Sequence, residues 1–134
     1  MKPLRILLAD DDTQIRTMLR YFLEPEHEIV GTAADGETLL EEAFRLQPDV
    51  IITDVQMPRL SGLQALWRMH DIAPRARVIL LSSDADPDTM EAAFAGGASA
   101  YLVKGLTSDL RGALRSTIGL LHTNVTAPAN SYDG

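Results

Sequence analysis

The sequence predicts an α/β domain built on a five-stranded parallel sheet with helices on both faces. Five short aliphatic runs, near 5–9, 28–33, 50–53, 78–82 and 100–103, lack clean polar alternation, which is how strands buried on both faces read. Between them lie segments with apolar residues at helical spacing and recognisable start signals. A strand–helix alternation repeated five times calls for parallel strands joined by right-handed crossovers.

The elements follow in order. Ile6-Leu7-Leu8-Ala9 runs into Asp10-Asp11, and Ile15, Met18, Leu19 and Phe22 then keep the i, i+3, i+4, i+7 spacing of a helix capped by Asp12 or Thr13. Asp35 caps a second helix carrying Leu39, Leu40, Ala43 and Phe44, which Pro48 stops. Val50-Ile51-Ile52-Thr53 runs into Asp54, and Leu63, Leu66 and Trp67 mark a third helix ended before Pro74, with Trp67 and the methionines read as packing. Val78-Ile79-Leu80-Leu81 runs into Ser82. Asp86-Pro87 then sets a capping acid before a first-turn proline, and Gly96-Gly97 closes the fourth helix. Tyr101-Leu102-Val103 runs into Lys104, and Thr107 or Ser108 opens a last helix with Leu110, Leu114, Ile118 and Leu121 along one side. Residues 1–121 form the domain, and 122–134, without periodicity, read as a linker or disordered tail. The flavodoxin-like strand order 2-1-3-4-5 is one of two common solutions, and its switch point falls between the first and third strands.

Composition narrows the function. A chain of 134 residues, 46% of them apolar, is most simply one domain with a real core. A formal net charge of −7 disfavours non-specific contact with nucleic acid or an anionic membrane, since both would be repelled. The absence of cysteine excludes disulfides and thiolate metal sites. The apolar run after Lys2 is too short, and too soon broken by Arg5, for a signal peptide, and no stretch approaches a membrane span. A cytoplasmic location is expected. His27, His70 and His122 are too scattered to suggest a metal site.

The ends of the runs hold the chemistry. In the predicted order Asp10, Asp11 and Asp54 meet at the switch point, where ligand sites of open α/β sheets lie. Two carboxylates about 4 Å apart repel by about 4 kcal/mol at an effective dielectric near 20. Three therefore share a pocket only with a cation or with a proton on one of them. Magnesium suits such an all-oxygen site, bound through one or two carboxylates, retained waters and phosphate oxygen. Lys104 and Ser82 offer a positive charge and a hydroxyl for phosphoryl oxygens, and a carboxylate can itself attack to form an aspartyl phosphate.

These residues resemble a known family. Asp10-Asp11, Asp54 followed by Met57-Pro58 and Gly62, Ser82, and Tyr101-Leu102-Val103-Lys104 are similar to the receiver domain of two-component response regulators, across about 5–121. The run Ala-Gly-Gly-Ala-Ser-Ala-Tyr-Leu-Val-Lys is similar to the LuxR-type branch, whose members usually carry a C-terminal helix-turn-helix. The resemblance implies that Asp54 is the phosphoacceptor, taking a phosphoryl group from a sensor histidine kinase or a phosphotransfer protein. It implies Mg2+ bound by Asp11, Asp54 and the backbone carbonyl of Gln56, with Asp10 assisting directly or through water. Ser82 and Lys104 would engage the phosphoryl oxygens. Movement of Ser82 would be coupled to inward rotation of Tyr101, changing the partner affinity of the face made by the fourth helix, fifth strand and fifth helix. It further implies a signalling phosphoacceptor rather than an enzyme, limited to self-catalysed phosphotransfer and slow autodephosphorylation. Homodimerisation is open. The output is transcription through a DNA-binding domain outside this chain or, alternatively, protein contact by a free-standing receiver. One departure is Gly105, which stands where many receivers have proline; a cis bond there would cost about 3 kcal/mol and is not assumed.

Other readings fit less well. A haloacid-dehalogenase-type phosphatase needs Asp-x-Asp-x-Thr or Val, and the run from Asp10 fails at Gln14. Asp84-Ala-Asp86-Pro-Asp88 imitates a calcium loop but has Thr89 and Ala95 where glycine and glutamate belong. A receiver that signals without phosphate is disfavoured by the full set of acids, hydroxyl and lysine. Asp12 is read as a helix cap, not a site acid.

Overall fold

The computed structural model describes residues 3–104 and 109–122. Ten elements alternate: β1 (Arg5–Ala9), α1 (Thr13–Leu23), β2 (Glu28–Ala33), α2 (Gly36–Leu46), β3 (Val50–Asp54), α3 (Gly62–Ile72), β4 (Arg77–Ser82), α4 (Pro87–Ala95), β5 (Ala100–Val103) and α5 (Leu110–His122). All strand pairs are parallel, in the order β2-β1-β3-β4-β5. The expected sheet is therefore the observed one.

Alternation along the strands builds two cores. Leu7, Ile51, Val78 and Leu80 face Leu39 and Ala43 of α2, Ala65, Leu66 and Met69 of α3, and Ala93 of α4. Ile6, Leu8, Val50, Ile52, Ile79 and Leu81 face Leu19 and Leu23 of α1 and Leu114 and Ile118 of α5. Both faces of the inner strands are covered, which is why their sequences show no polar alternation.

The caps follow the sequence reading with one exception. Asp12 caps α1 by accepting from the Gln14 N–H, Asp35 caps α2 through Thr38, and Asp86 caps α4 with Pro87 in the first turn. Ser61 and Gln64 add a reciprocal capping box at α3. At α5 the carboxylate of Asp109 accepts from the Gly112 N–H at 2.8 Å, so a cap role falls to Asp109. Thr107 and Ser108, expected there, lie outside the described residues, as do Gly105 and 123–134. Helix α5 takes in His122, which the sequence reading assigned to the tail.

Two aromatics depart from their expected packing. Trp67 is 55% exposed and Phe44 67% exposed. Each follows directly on a buried stripe residue, Leu66 and Ala43, and one helical step of about 100° carries it off the sheet-facing arc.

Candidate functional site

The carboxyl ends of β1, β3 and β5 converge. Asp10 follows β1, Asp54 is the last residue of β3, and Lys104 follows β5. Asp10 and Asp54 are buried, while Asp11 is exposed at the mouth. Carboxylate oxygens of Asp10, Asp11 and Asp54 all lie within 4.8 Å of one another. The Lys104 ammonium reaches between two of them, 3.1 Å from Asp10 Oδ2 and 3.4 Å from Asp54 Oδ1.

The loops around these strand ends are tied down. Asp10 Oδ1 accepts from the Asp12 N–H at 2.9 Å, turning the β1–α1 loop back over the pocket. The Val55 N–H bonds Leu81 O across to β4, and the Gly62 N–H bonds Val55 O. Gly62 is required by contact: a Cβ there would sit 2.0 Å from Asp54 O. The start of α3 is thus pressed against the strand end that presents Asp54, which gives Gly62 of the sequence motif a steric reason.

Electrostatics set the pocket apart. Burial raises the Asp54 carboxyl above its usual range, and the facing Asp10 charge adds to the rise. Lys104 and the Gln56 backbone N–H, which bonds the carboxylate, oppose that rise without cancelling it. At Lys104 burial pulls the other way, but the charges and hydrogen bonds of Asp54 and Asp10 prevail and its pKa is raised. The ammonium is a fixed charge.

The structure brings together Asp10, Asp11, Asp54 and Lys104, with Gln56 joined through its backbone N–H. Ser82 ends the neighbouring strand β4 and is buried, whereas Ser83 beside it is exposed. Its hydroxyl oxygen accepts from the Asp84 N–H at 3.1 Å, within its own loop. Tyr101 packs partly against the α2–α3–α4 core, and its hydroxyl donates to Asp84 O at 3.3 Å. Both residues singled out as switch elements thus hold the same residue of the β4–α4 loop. Sequence reading missed Arg16, whose guanidinium donates to Asp10 O at 2.5 Å. It also missed Arg59, which ties the β3–α3 loop to Asp35 at 3.1 Å.

The donor set fits a hard divalent cation: three carboxylates presenting oxygens within a few ångströms, one of them open to solvent. Fold and pocket together define a doubly wound α/β domain whose ligand edge joins a metal-competent acid cluster to a fixed ammonium. The chain belongs to the response regulator receiver domain family, whose profile matches residues 6–115. It is 41% identical over 112 residues to the transcriptional regulatory protein PdtaR of Mycobacterium tuberculosis, covering 81% of this chain and 53% of that protein. The nitrate/nitrite response regulator protein NarL of Escherichia coli is 33% identical over 110 residues, covering 81% of this chain and 51% of NarL. The chain spans about half the length of these relatives. Among solved structures, the signal receiver domain of NarL from Mycobacterium tuberculosis superposes with a TM-score of 0.77 at 27% identity, covering 89% of this chain and 99% of that one. A LuxR-family two-component response regulator from Aurantimonas sp. SI85-9A1 gives a TM-score of 0.78 at 25% identity, covering 88% and 87%. This chain is thus a two-component receiver domain with LuxR-type relatives. Among the described residues no helix is long and apolar enough to cross a membrane.

Proposed function

We propose that this receiver accepts a phosphoryl group on Asp54 from a phosphohistidine of a sensor histidine kinase or phosphotransfer protein. The observation that carries this reading is the Lys104 ammonium seated between Asp10 and Asp54, at 3.1 and 3.4 Å. It supplies a built-in counter-charge where phosphoryl oxygens would otherwise meet only carboxylates.

In the transfer, an Asp54 carboxylate oxygen attacks phosphorus, the P–N bond to the donor imidazole breaks, and its electron pair returns to the imidazole nitrogen. Asp11, Asp54 and the Gln56 carbonyl, with Asp10 assisting, would hold Mg2+, which when bound would supply neutralising charge to the phosphoryl oxygens. Lys104 moves its contact from carboxylate to phosphoryl oxygen. Ser82 uses a lone pair on the Asp84 N–H, so its own hydroxyl proton is available to a phosphoryl oxygen. Tyr101 is hydrogen bonded to the other side of Asp84, so a shift of Ser82 toward phosphate disturbs the contact that orients Tyr101. The face of α4, β5 and α5 then changes its partner affinity by favouring one of two existing conformations.

The chain acts as a phosphoacceptor in the cytoplasm, with chemistry limited to its own phosphorylation and slow dephosphorylation. A relative named as a transcriptional regulatory protein and about twice as long supports an output through a DNA-binding domain outside this sequence, with homodimerisation a further mode of association. The domain runs through α5, which ends at His122.

Intact-protein mass after incubation with acetyl phosphate and Mg2+ tests the reading in wild type and Asp54→Asn. Wild type alone should gain one phosphoryl group. A gain in both would move the acceptor elsewhere, and no gain in wild type, with Mg2+ bound, would leave either an obligatory partner kinase or a receiver that signals without phosphate, which a beryllofluoride titration separates.

A further inference from the structure

We propose that Arg16 is the positioning residue of the acidic pocket, holding the Asp10–Asp11 peptide so that the exposed Asp11 carboxylate is turned toward Asp54. The inference rests on the metal-binding reading of that pocket and adds a residue to it.

Asp10 is tied at each of its polar groups. Its N–H bonds Ala33 O at 3.0 Å, Oδ1 accepts from the Asp12 N–H at 2.9 Å, and Oδ2 accepts from Lys104 at 3.1 Å. Its carbonyl accepts from Arg16 Nη1 at 2.5 Å. The last contact differs in consequence. The Asp10 carbonyl lies in the peptide plane that leads into Asp11, and the Asp12 N–H on Asp10 Oδ1 lies in the plane that follows it; with both planes held, the Asp11 Cα between them has a set direction for its side chain. Asp11 is exposed, without the burial that holds Asp10 and Asp54.

The guanidinium is itself held, since Nη2 donates to Thr13 Oγ1 at 3.1 Å. Its planar fork spans a backbone acceptor and a hydroxyl through two nitrogens in fixed geometry, which the single freely turning ammonium of a lysine does not reproduce. Arg16 stands at the end of the first turn of α1, where the helix dipole disfavours a cation. Losing a group that supports ligand-bearing residues without touching the metal commonly costs about 10–100-fold in metal affinity.

The alternative is that Arg16 acts only through charge, and the two accounts have opposite signs. A cation beside the pocket repels Mg2+, so removing it by charge alone tightens binding. Removing a positioning contact weakens it. Isothermal calorimetry with magnesium chloride, on wild type, Arg16→Met, Arg16→Lys and Thr13→Val, separates them. Arg16→Met should weaken Mg2+ binding about tenfold despite losing a positive charge, and Arg16→Lys should recover part of the loss. Thr13→Val should show a smaller loss in the same direction. Equal or tighter binding by a folded Arg16→Met overturns the proposal. Should that variant fail to fold, unchanged affinity in Thr13→Val overturns it. If wild type itself binds no Mg2+, the metal reading of the pocket falls, and this inference with it.

Discussion

The middle of the sheet and its carboxyl edge are buried alike and held by opposite means. Ile52 in the middle of β3 is 0% exposed, and Asp54 two residues on is 7% exposed. Ile52 loses water and gains close packing from Leu19, Leu114 and their neighbours, a change that favours folding at every step. Asp54 loses water and gains a second carboxylate, so burial raises its pKa. The fold is stabilised by the first region and holds the second in a state it would not choose. That unfavourable state is what a cation and a phosphoryl group can relieve.

Truncating the middle should show the largest effect. Ile52→Ala should cost about 2–5 kcal/mol, a large share of the roughly 5–15 kcal/mol that stabilises a typical domain. Urea denaturation would measure it. Recovery of wild-type Mg2+ affinity wherever the variant remains folded would show that the two regions separate energetically. A loss below about 1 kcal/mol would mean that the site can collapse around the missing atoms.

Neutralising the edge should have the opposite sign. The Asp54 pKa is raised in the folded chain, so its carboxylate binds protons more tightly there than when unfolded. The resulting penalty is absent below the unfolded value of 3.8 and grows as pH rises through the folded value. Without metal at neutral pH, Asp54→Asn should therefore be the more stable protein. The gap should close as pH falls toward 3.8. Thermal melts across pH would check it, and a variant less stable than wild type at neutral pH would place the Lys104 ion pair above the repulsion. Added Mg2+ should raise the wild-type melting temperature more than the variant's.

The comparison also explains what could be read in advance. Inner strands covered on both faces write themselves as unbroken aliphatic runs, so the residues that end those runs mark the edge, and Asp10, Asp54 and Lys104 stand out together. What sequence hid acts through the backbone. Arg16 works on a carbonyl, which every residue has, and no pattern of residue types announces it. Gly62 signals itself by identity, yet its reason, the Asp54 carbonyl 2.0 Å from where a Cβ would lie, is tertiary. Ser82 was legible by register but not by rotamer, since the Asp84 N–H that its oxygen accepts belongs to loop geometry. Thr107, Ser108 and Asp109 are all good caps, and residue type alone could not rank them. Trp67 lay close enough to the apolar stripe of α3 to pass for part of it.

Asp12 sharpens the comparison most narrowly, because it stands at the edge but belongs energetically to the fold. It is the third acid of Asp10-Asp11-Asp12 and sits one residue past the pocket. Its side chain is already engaged, accepting from the Gln14 N–H at 2.8 Å as the cap of α1. That bond satisfies a donor that the helix end leaves open, and its charge favours the positive end of the helix. Asp12→Ala should therefore cost about 1 kcal/mol of stability, the smallest of these effects. It should leave Mg2+ affinity near wild type, because its backbone N–H to Asp10 Oδ1 survives the substitution. Asp12→Asn, which keeps the cap without the charge, should recover most of the stability. A large loss of Mg2+ affinity in Asp12→Asn would instead make this acid part of the pocket, and the boundary between fold and site would move one residue into α1.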